Sequence, residues 1–188
     1  MAKLESNFRN MLVSLTLVSA GMAVVLAGVF LGTRDAIART EKAKTENAIK
    51  QVIPPFDTLK LQKMPDEDGD TVYVYYGYKA DSLVGIAVET FTTKGFAGKL
   101  RYVIGFLKNG NIQNMAGFDI RETPGLGSKM KDPAFLKQFI GKNPSTFVLK
   151  VKKDGGQVDA ITGATISSRA FCDAAQKAYN ATRKDQKK

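Results

Sequence analysis

Four hydroxyl side chains and a glycine lie within seven residues near the carboxyl-terminal end of the chain: Thr162, Gly163, Thr165, Ser167 and Ser168. They precede an alanine-rich segment that we expect to form a helix. The first backbone N–H groups of a helix have no partner within it and its dipole is positive at that end, so an anion binds there readily. We therefore expect Thr165 to lie in an exposed turn beside free N–H groups, where its oxygen can carry a phosphate as an ester.

An ordinary helix start is the alternative interpretation of the same residues. Serine and threonine are preferred at the N-cap because their oxygens accept hydrogen bonds from the first turn, and short motifs match by chance. The motif alone leaves both interpretations open, so the rest of the chain has to decide between a phosphate site and a simple cap.

A second segment with unusual backbone freedom reads Glu122-Thr123-Pro124-Gly125-Leu126-Gly127. Glycine permits positive φ and removes side-chain bulk, so the backbone can approach a flat ligand, while a leucine can cover an aromatic ring. A plain turn is the alternative, since proline and glycine are common in turns. Lys129 and Lys131 follow just beyond this loop, and we interpret them as ordinary surface lysines. The alternative is that they stabilise the negative charge of a reduced ligand.

Together, Asp159-x-x-Thr162-Gly163-Ala164-Thr165 and the loop 122–127 resemble the FMN-binding domain family, found in the G subunit of Rnf complexes and the C subunit of sodium-pumping NADH:quinone reductases. The resemblance implies that Thr165 carries FMN covalently through its phosphate. It also implies that a separate flavin transferase recognises Asp159, Thr162, Gly163 and Ala164 and moves FMN from FAD to the threonine. The further residues implied to bind the cofactor are Thr162, Gly163, Ala164, Ser168, Glu122, Thr123, Gly125, Leu126 and Gly127.

The resemblance covers the whole chain. The chain is short, and its length is closer to that of the Rnf subunit than to that of the longer quinone-reductase subunit. The resemblance implies an electron-relay subunit of a membrane-bound, ion-translocating ferredoxin:NAD⁺ oxidoreductase, with partner subunits that carry flavin and iron–sulfur centres. We retain two alternatives, the quinone-reductase C subunit and an anchored basic binding or scaffold domain without a cofactor.

Several kinds of redox and metal site are excluded by composition. The chain has no histidine, so it has no histidine-based triad and no histidine-ligated metal or haem. Its one cysteine, Cys172, cannot form an internal disulfide and falls at a helical position suited to a small buried side chain. The acidic run 66–70 resembles a calcium loop, but its glycine is misplaced and Gly77 stands where the last ligand is needed. A redox role therefore requires a bound cofactor, and we predict no metal site.

The amino-terminal region predicts a membrane anchor. Residues 11–31 contain no charged side chain, and 21 apolar and small residues are enough to span a bilayer and longer than a signal-peptide core. Lys3 and Arg9 precede the span and four basic residues soon follow it, so a charge count favours a cytoplasmic domain. The family resemblance implies the extracytoplasmic side of the inner or plasma membrane instead, and we follow it. The net charge of +10 suggests anionic lipid headgroups rather than nucleic acid as the neighbour.

The remaining elements predict an α+β domain with an antiparallel sheet flanked by helices. We expect an anchor over 1–32, a juxtamembrane helix (40–52) and linker over 33–69, an FMN-binding domain over 70–182 and a basic tail over 183–188. Strands are predicted at 71–78, 83–91, 100–108 and 112–120, with a candidate fifth strand at 147–151. We expect a turn at 94–99 and a type I′ hairpin at Asn109-Gly110. A helix is predicted over 132–140. The last helix presents an apolar face of Phe171, Ala174, Ala175, Ala178 and Tyr179.

Overall fold

The computed structural model describes residues 7–66 and 69–185, and the chain divides into two units, Met1–Ala43 and Lys44–Lys188. Helix α1 (Phe8–Val52) provides the described part of the first unit up to Ala43, and its last turns belong to the second unit. Its apolar stretch is exposed throughout and is long and apolar enough to cross a membrane. The juxtamembrane helix predicted over 40–52 is confirmed and ends at Val52 as predicted, but it continues the anchor helix without a break, because no glycine or proline lies between Gly32 and Pro54.

The second unit is built on a five-stranded antiparallel sheet whose spatial order equals the chain order. The strands are β1 (Thr58–Pro65), β2 (Thr71–Lys79), β3 (Ser82–Gly95), β4 (Gly98–Phe106) and β5 (Ile112–Asp119). The four predicted strands correspond to β2 to β5. After the juxtamembrane helix we expected only an irregular linker up to residue 69, and this expectation is wrong, because β1 occupies residues 58–65. This edge strand is mostly exposed and carries two lysines and a proline, a composition that protects a sheet edge but gives a weak strand signal.

The predicted turn chemistry is only partly confirmed. The tight hairpin joins β2 to β3, where Ala80 and Asp81 both have positive φ, as a type I′ turn requires. Between β4 and β5, Gly110 has positive φ but Asn109 does not, and the Gly110 N–H donates to the Leu107 carbonyl. The type I′ hairpin predicted at Asn109-Gly110 is therefore wrong, although these two strands are antiparallel as predicted.

Helix α3 (Thr165–Asp185) covers one face of the sheet and all five residues of its predicted apolar face are buried. Phe171 meets Tyr102 of β4 edge-on, with ring centroids 4.9 Å apart, and also packs against Phe135 and Phe139. The helix predicted over 132–140 is shorter: α2 (Pro133–Leu136) ends where the chain tightens into three-residue turns. The strand predicted at 147–151 is wrong, because only Val151 forms a bridge, to Val158.

The last turns of α1 cover the opposite face of the sheet, within the same unit. Ala48, Ile49 and Val52 are buried there against Ala87 and Val103. A side chain at Gly105 would meet the Val52 carbonyl oxygen at 1.9 Å, so glycine is required for this close approach. The sheet therefore lies between two helical layers, and the layer formed by α3 fixes the position of Thr165.

Candidate functional site

The turn before α3 is held by hydrogen bonds within the motif. The Ala164 N–H donates to the Ile161 carbonyl at 2.9 Å, with Gly163 at φ 76°, as at the third position of a type II turn. The Ser168 hydroxyl accepts from the Ile161 N–H and donates to the Ala164 carbonyl, both at 3.0 Å. Ser168 is fully buried, so its hydroxyl ties this turn to the first turn of the helix.

Thr165 is the first residue of α3 and is half-buried, so it lies within the helix rather than in the exposed turn that we expected. Within the described part of the chain, the backbone N–H groups of Thr165, Ile166 and Ser167 donate to no protein acceptor. They are the open donors of the helix start. Three open donors beside one hydroxyl can hold a phosphate group.

The four hydroxyl groups of the motif differ in what they contact. The hydroxyl of Ser168 is bonded twice, and that of Ser167 donates to Glu122 at 3.0 Å. Thr162 is exposed and does not line the cleft beside the motif. Of the four, only Thr165 both lines this cleft and makes no hydrogen bond through its side chain within the described residues.

The second loop forms a turn of the same kind. The Leu126 N–H donates to the Thr123 carbonyl at 3.2 Å, with Pro124 and Gly125 in the middle and Gly125 at φ 76°. Proline followed by a glycine of positive φ is the usual composition of a type II turn. A side chain at Gly163 would lie 3.2 Å from the nearest atom of Leu126. The two glycine turns therefore lie against one another.

Glu122 connects the segments that form the cleft. Its buried carboxylate accepts from the Ser167 hydroxyl at 3.0 Å and from the Ala97 N–H at 3.4 Å. Gly127 packs against this pair, because a side chain there would lie 2.6 Å from Glu122 Oε2 and 2.8 Å from Ser167 Oγ. Burial raises the pKa of the neighbouring Tyr102 hydroxyl, and the charge of Glu122 raises it further.

The resulting cleft has a volume of about 320 Å³. Three large apolar side chains, Phe96, Leu126 and Ile166, line it while remaining 43–68% exposed. Exposed apolar groups around a cleft with a few polar ones are typical of a ligand site. Among the predicted residues, those that line it are Glu122, Thr123, Leu126, Gly127, Gly163, Ala164 and Thr165.

Four predicted site residues lie outside this lining. Thr162 and Gly125 are exposed turn residues, and Ser168 is the buried bridge described above. Asp159 is exposed and forms an ion pair with Lys152 at 2.7 Å, while its backbone is held by Gln138. An exposed carboxylate on a fixed backbone is accessible to another protein.

Sequence reasoning missed Phe96, Ile166 and Ser167, which line the cleft. Phe96 is in the segment 94–99, which we interpreted only as a turn. A large aromatic residue between two glycines in a turn could have indicated that this residue lines a ligand site. Lys129 and Lys131 are exposed and do not line the cleft. No group of three or more potential metal-binding side chains occurs in the described ranges, 7–66 and 69–185.

The chain is similar in sequence to known proteins. Residues 95–180, which include both glycine turns and Thr165, match the FMN-binding domain family. The G subunit of the ion-translocating oxidoreductase complex of Methanosarcina acetivorans is 31% identical over 177 residues, 90% of this chain and 91% of that protein. The corresponding protein of Shewanella baltica is also 31% identical, over 82% of this chain and 79% of that protein.

A solved structure, the crystal structure of Shewanella oneidensis NqrC, is similar at a TM-score of 0.43 and 20% identity. The match covers 69% of this chain and 65% of that one.

Proposed function

Because the chain belongs to the family of G subunits of ion-translocating oxidoreductase complexes, we propose that Thr165 binds FMN covalently, through an ester between its hydroxyl and the FMN phosphate. The chain is an electron-relay subunit of an Rnf-type complex and its domain binds FMN. The attachment and its chemistry at Thr165 are the proposal.

The state of the Thr165 hydroxyl is the observation that carries this proposal. It is the motif hydroxyl that lines the cleft without a hydrogen bond to any residue that the structure describes, and it lies at the start of a 21-residue helix. A phosphate on this oxygen meets the open N–H groups of Thr165, Ile166 and Ser167 and the positive end of the helix dipole. The neighbouring hydroxyls of Ser167 and Ser168 are engaged in buried hydrogen bonds.

The rest of the cleft suits a flat aromatic ring system. Gly163 and Gly127 remove side-chain bulk where the walls approach, and Phe96, Leu126 and Ile166 offer apolar surface that is exposed. FMN, when bound, supplies the electron transfer. The protein's part is to hold the phosphate, cover the ring and limit access of water.

Attachment requires an enzyme that transfers FMN from FAD and releases AMP, so that the Thr165 oxygen replaces AMP on the FMN phosphate. We propose that a flavin transferase recognises the exposed Asp159 together with Thr162. Both residues are outside the cleft lining and accessible to another protein. Recognition outside the cleft leaves the cleft free to receive the flavin.

The chain is associated with a membrane, and other subunits of the complex are its neighbours. We propose that the flavin domain lies on the extracytoplasmic side, where covalent attachment prevents loss of a cofactor that is not easily replaced. The neighbours that exchange electrons with it carry flavin or iron–sulfur centres, and the complex transfers electrons between ferredoxin and NAD⁺.

A denaturing gel viewed under ultraviolet light tests the attachment, with the full chain produced alongside its transferase. We expect a fluorescent wild-type band and a dark band for Thr165→Val, which removes the hydroxyl and keeps the shape. Thr58→Val, an exposed position on β1, is the matched control and stays fluorescent. A dark wild-type band would contradict the proposal and favour a scaffold domain without cofactor.

The quinone-reductase alternative is tested by the proteins that co-purify with the chain. An Rnf-type complex brings ferredoxin-oxidising subunits rich in iron–sulfur centres. Co-purification with quinone-reducing subunits instead would overturn the assignment to an Rnf-type complex.

A further inference from the structure

A second and larger cavity lies beside the flavin cleft. This groove has a volume of about 790 Å³ and runs between one side of α3 and the segment 144–151. The α3 side is formed by Ile166, Arg169, Cys172, Asp173 and Gln176, which recur at the spacing of one helix face. The proposed function makes no use of this groove.

The groove and the flavin cleft share Ile166, which lines both. Six large apolar side chains of the second unit are exposed within its described residues. Four of them, Phe96, Leu126, Val148 and Ile166, line the two cavities, and the other two are Leu61 and Ile140. Exposed apolar surface is therefore concentrated here, as at protein interaction sites.

The charges at the rim leave a positive excess. Arg169 forms a bidentate ion pair with Asp154, at 2.6 and 2.7 Å, and Lys94 forms an ion pair with Asp173. The hydrogen bond from Arg169 lowers the pKa of the Asp154 carboxyl, and the charges of Lys153 and Lys150 lower it further. Arg169, Lys150 and Lys153 thus act on the single carboxylate of Asp154. A carboxylate of another protein would therefore be attracted to the positive charge of Lys150.

We propose that this groove is the docking surface for the neighbouring subunit that exchanges electrons with the flavin. The partner inserts an apolar side chain between Val148 and Ile166 and places carboxylates beside Lys150 and Lys153. Such an apolar anchor inside a charged rim is the usual arrangement of an interface. Docking here brings the partner's redox centre next to the cleft, because the two cavities share a wall. The inference rests on the proposed flavin site.

Photo-cross-linking in the assembled complex tests the contact directly. We replace Val148 with the photoreactive residue p-benzoylphenylalanine in the full chain, and Leu61, which is similarly exposed on β1, serves as the matched control. We expect Val148 to cross-link to a subunit that carries a flavin or iron–sulfur centre, and Leu61 not to do so. Cross-links from Val148 to lipid, to a second copy of this chain, or to nothing would overturn the proposal.

Electron exchange between the subunits provides an independent measurement. We expect Val148→Glu and Lys150→Glu to slow reduction of the bound flavin by its partner by about tenfold or more, whereas Leu61→Glu does not. In-gel flavin fluorescence and the flavin potentials stay unchanged, because none of these residues lines the flavin cleft. A fluorescent Val148→Glu band that exchanges electrons at the wild-type rate would refute the docking surface alone. A dark wild-type band would refute the flavin site.

Discussion

The hydroxyl of Ser167, in the first turn of α3, donates a hydrogen bond of 3.0 Å to Glu122, in the loop that follows β5. Both side chains are buried, and Glu122 also accepts from the Ala97 N–H of the β3–β4 turn. One carboxylate therefore connects the three segments that form the flavin cleft. The cleft depends on this junction, although the residues are far apart in the chain.

Gly127→Ala tests how tightly this junction is packed. The added methyl group would lie 2.6 Å from Glu122 Oε2 and 2.8 Å from Ser167 Oγ, so the pair has to separate. We expect the free energy of unfolding to fall by about 1–3 kcal/mol, measured by urea denaturation of the full chain in detergent. In a Ser167→Ala background the cost becomes smaller, because one of the clashing atoms is gone. Equal costs in both backgrounds would show that the contact does not limit packing.

Ser168→Ala tests the bridge that holds the motif turn. The change leaves the Ile161 N–H without an acceptor, and we expect the free energy of unfolding to fall by about 1–3 kcal/mol. Flavin fluorescence on the gel is reduced but not lost, because the Thr165 hydroxyl remains. Ser82→Ala, at an exposed position beside the β2–β3 hairpin, serves as the control and changes stability by less than about 0.5 kcal/mol. Loss of all fluorescence in Ser168→Ala would instead make Ser168 part of the attachment chemistry.

Alkaline pH should reveal the burial of Cys172. Burial, together with the smaller effect of the Asp154 and Asp173 charges, raises the pKa of this thiol from its ordinary 9.0 to about 12. The folded chain keeps the proton that the unfolded chain releases, so stability is complete below pH 9 and falls as the pH rises towards 12. Between about pH 8 and about pH 10.5 the loss from this thiol is about 2 kcal/mol.

Urea denaturation of wild type and Cys172→Ala at these two pH values measures the difference. The variant lacks the contribution of the thiol but keeps those of Tyr75 and Tyr102, whose pKa values are also raised, mainly by burial. We expect the variant to lose less stability over the interval than the wild type. The same loss in both proteins would show that the thiol is not held protonated by burial.

Features that depend on neighbouring residues were predictable from the sequence. The apolar face of α3 follows from spacing along one helix, and β2 to β5 follow from β-branched and aromatic content. The helix start beside the motif follows from the hydroxyl-rich turn and the alanines after it, although Thr165 is the first residue of the helix and does not lie in the expected exposed turn. In each case a local pattern and the final packing agree.

Features that depend on contacts between distant segments were not predictable. Ser167 and Ser168 are adjacent hydroxyls, and only packing against Glu122 decides which one lies at the cleft. Phe96 reaches the cleft because the β3–β4 turn is held by the same carboxylate. The edge strand β1 was missed because it is mostly exposed and pairs with only one strand of the described sheet. Few of its side chains therefore need to be apolar, and the strand pattern in its sequence is weak.

The side of the membrane on which the flavin domain lies is tested by thiol labelling. Lys3 and Arg9 precede the span, and Arg34, Arg39, Lys42 and Lys44 follow it, so charge alone favours the cytoplasm. A long domain can be translocated despite such charges, and we expect the extracytoplasmic side. New cysteines at Lys79, exposed on β2, and at Asn7, exposed just before α1, report on the two sides of the span.

In intact cells, a membrane-impermeant maleimide should label Lys79→Cys but label Asn7→Cys only after permeabilisation. The native Cys172 adds little background, because it is buried and its raised thiol pKa leaves almost no thiolate at about pH 7. Cys172→Ala in the same background serves as the control for this assumption. Labelling of Asn7→Cys alone in intact cells would place the domain in the cytoplasm. Covalent attachment would then need a reason other than retention of flavin outside the cell, since cytoplasmic FMN is replaceable.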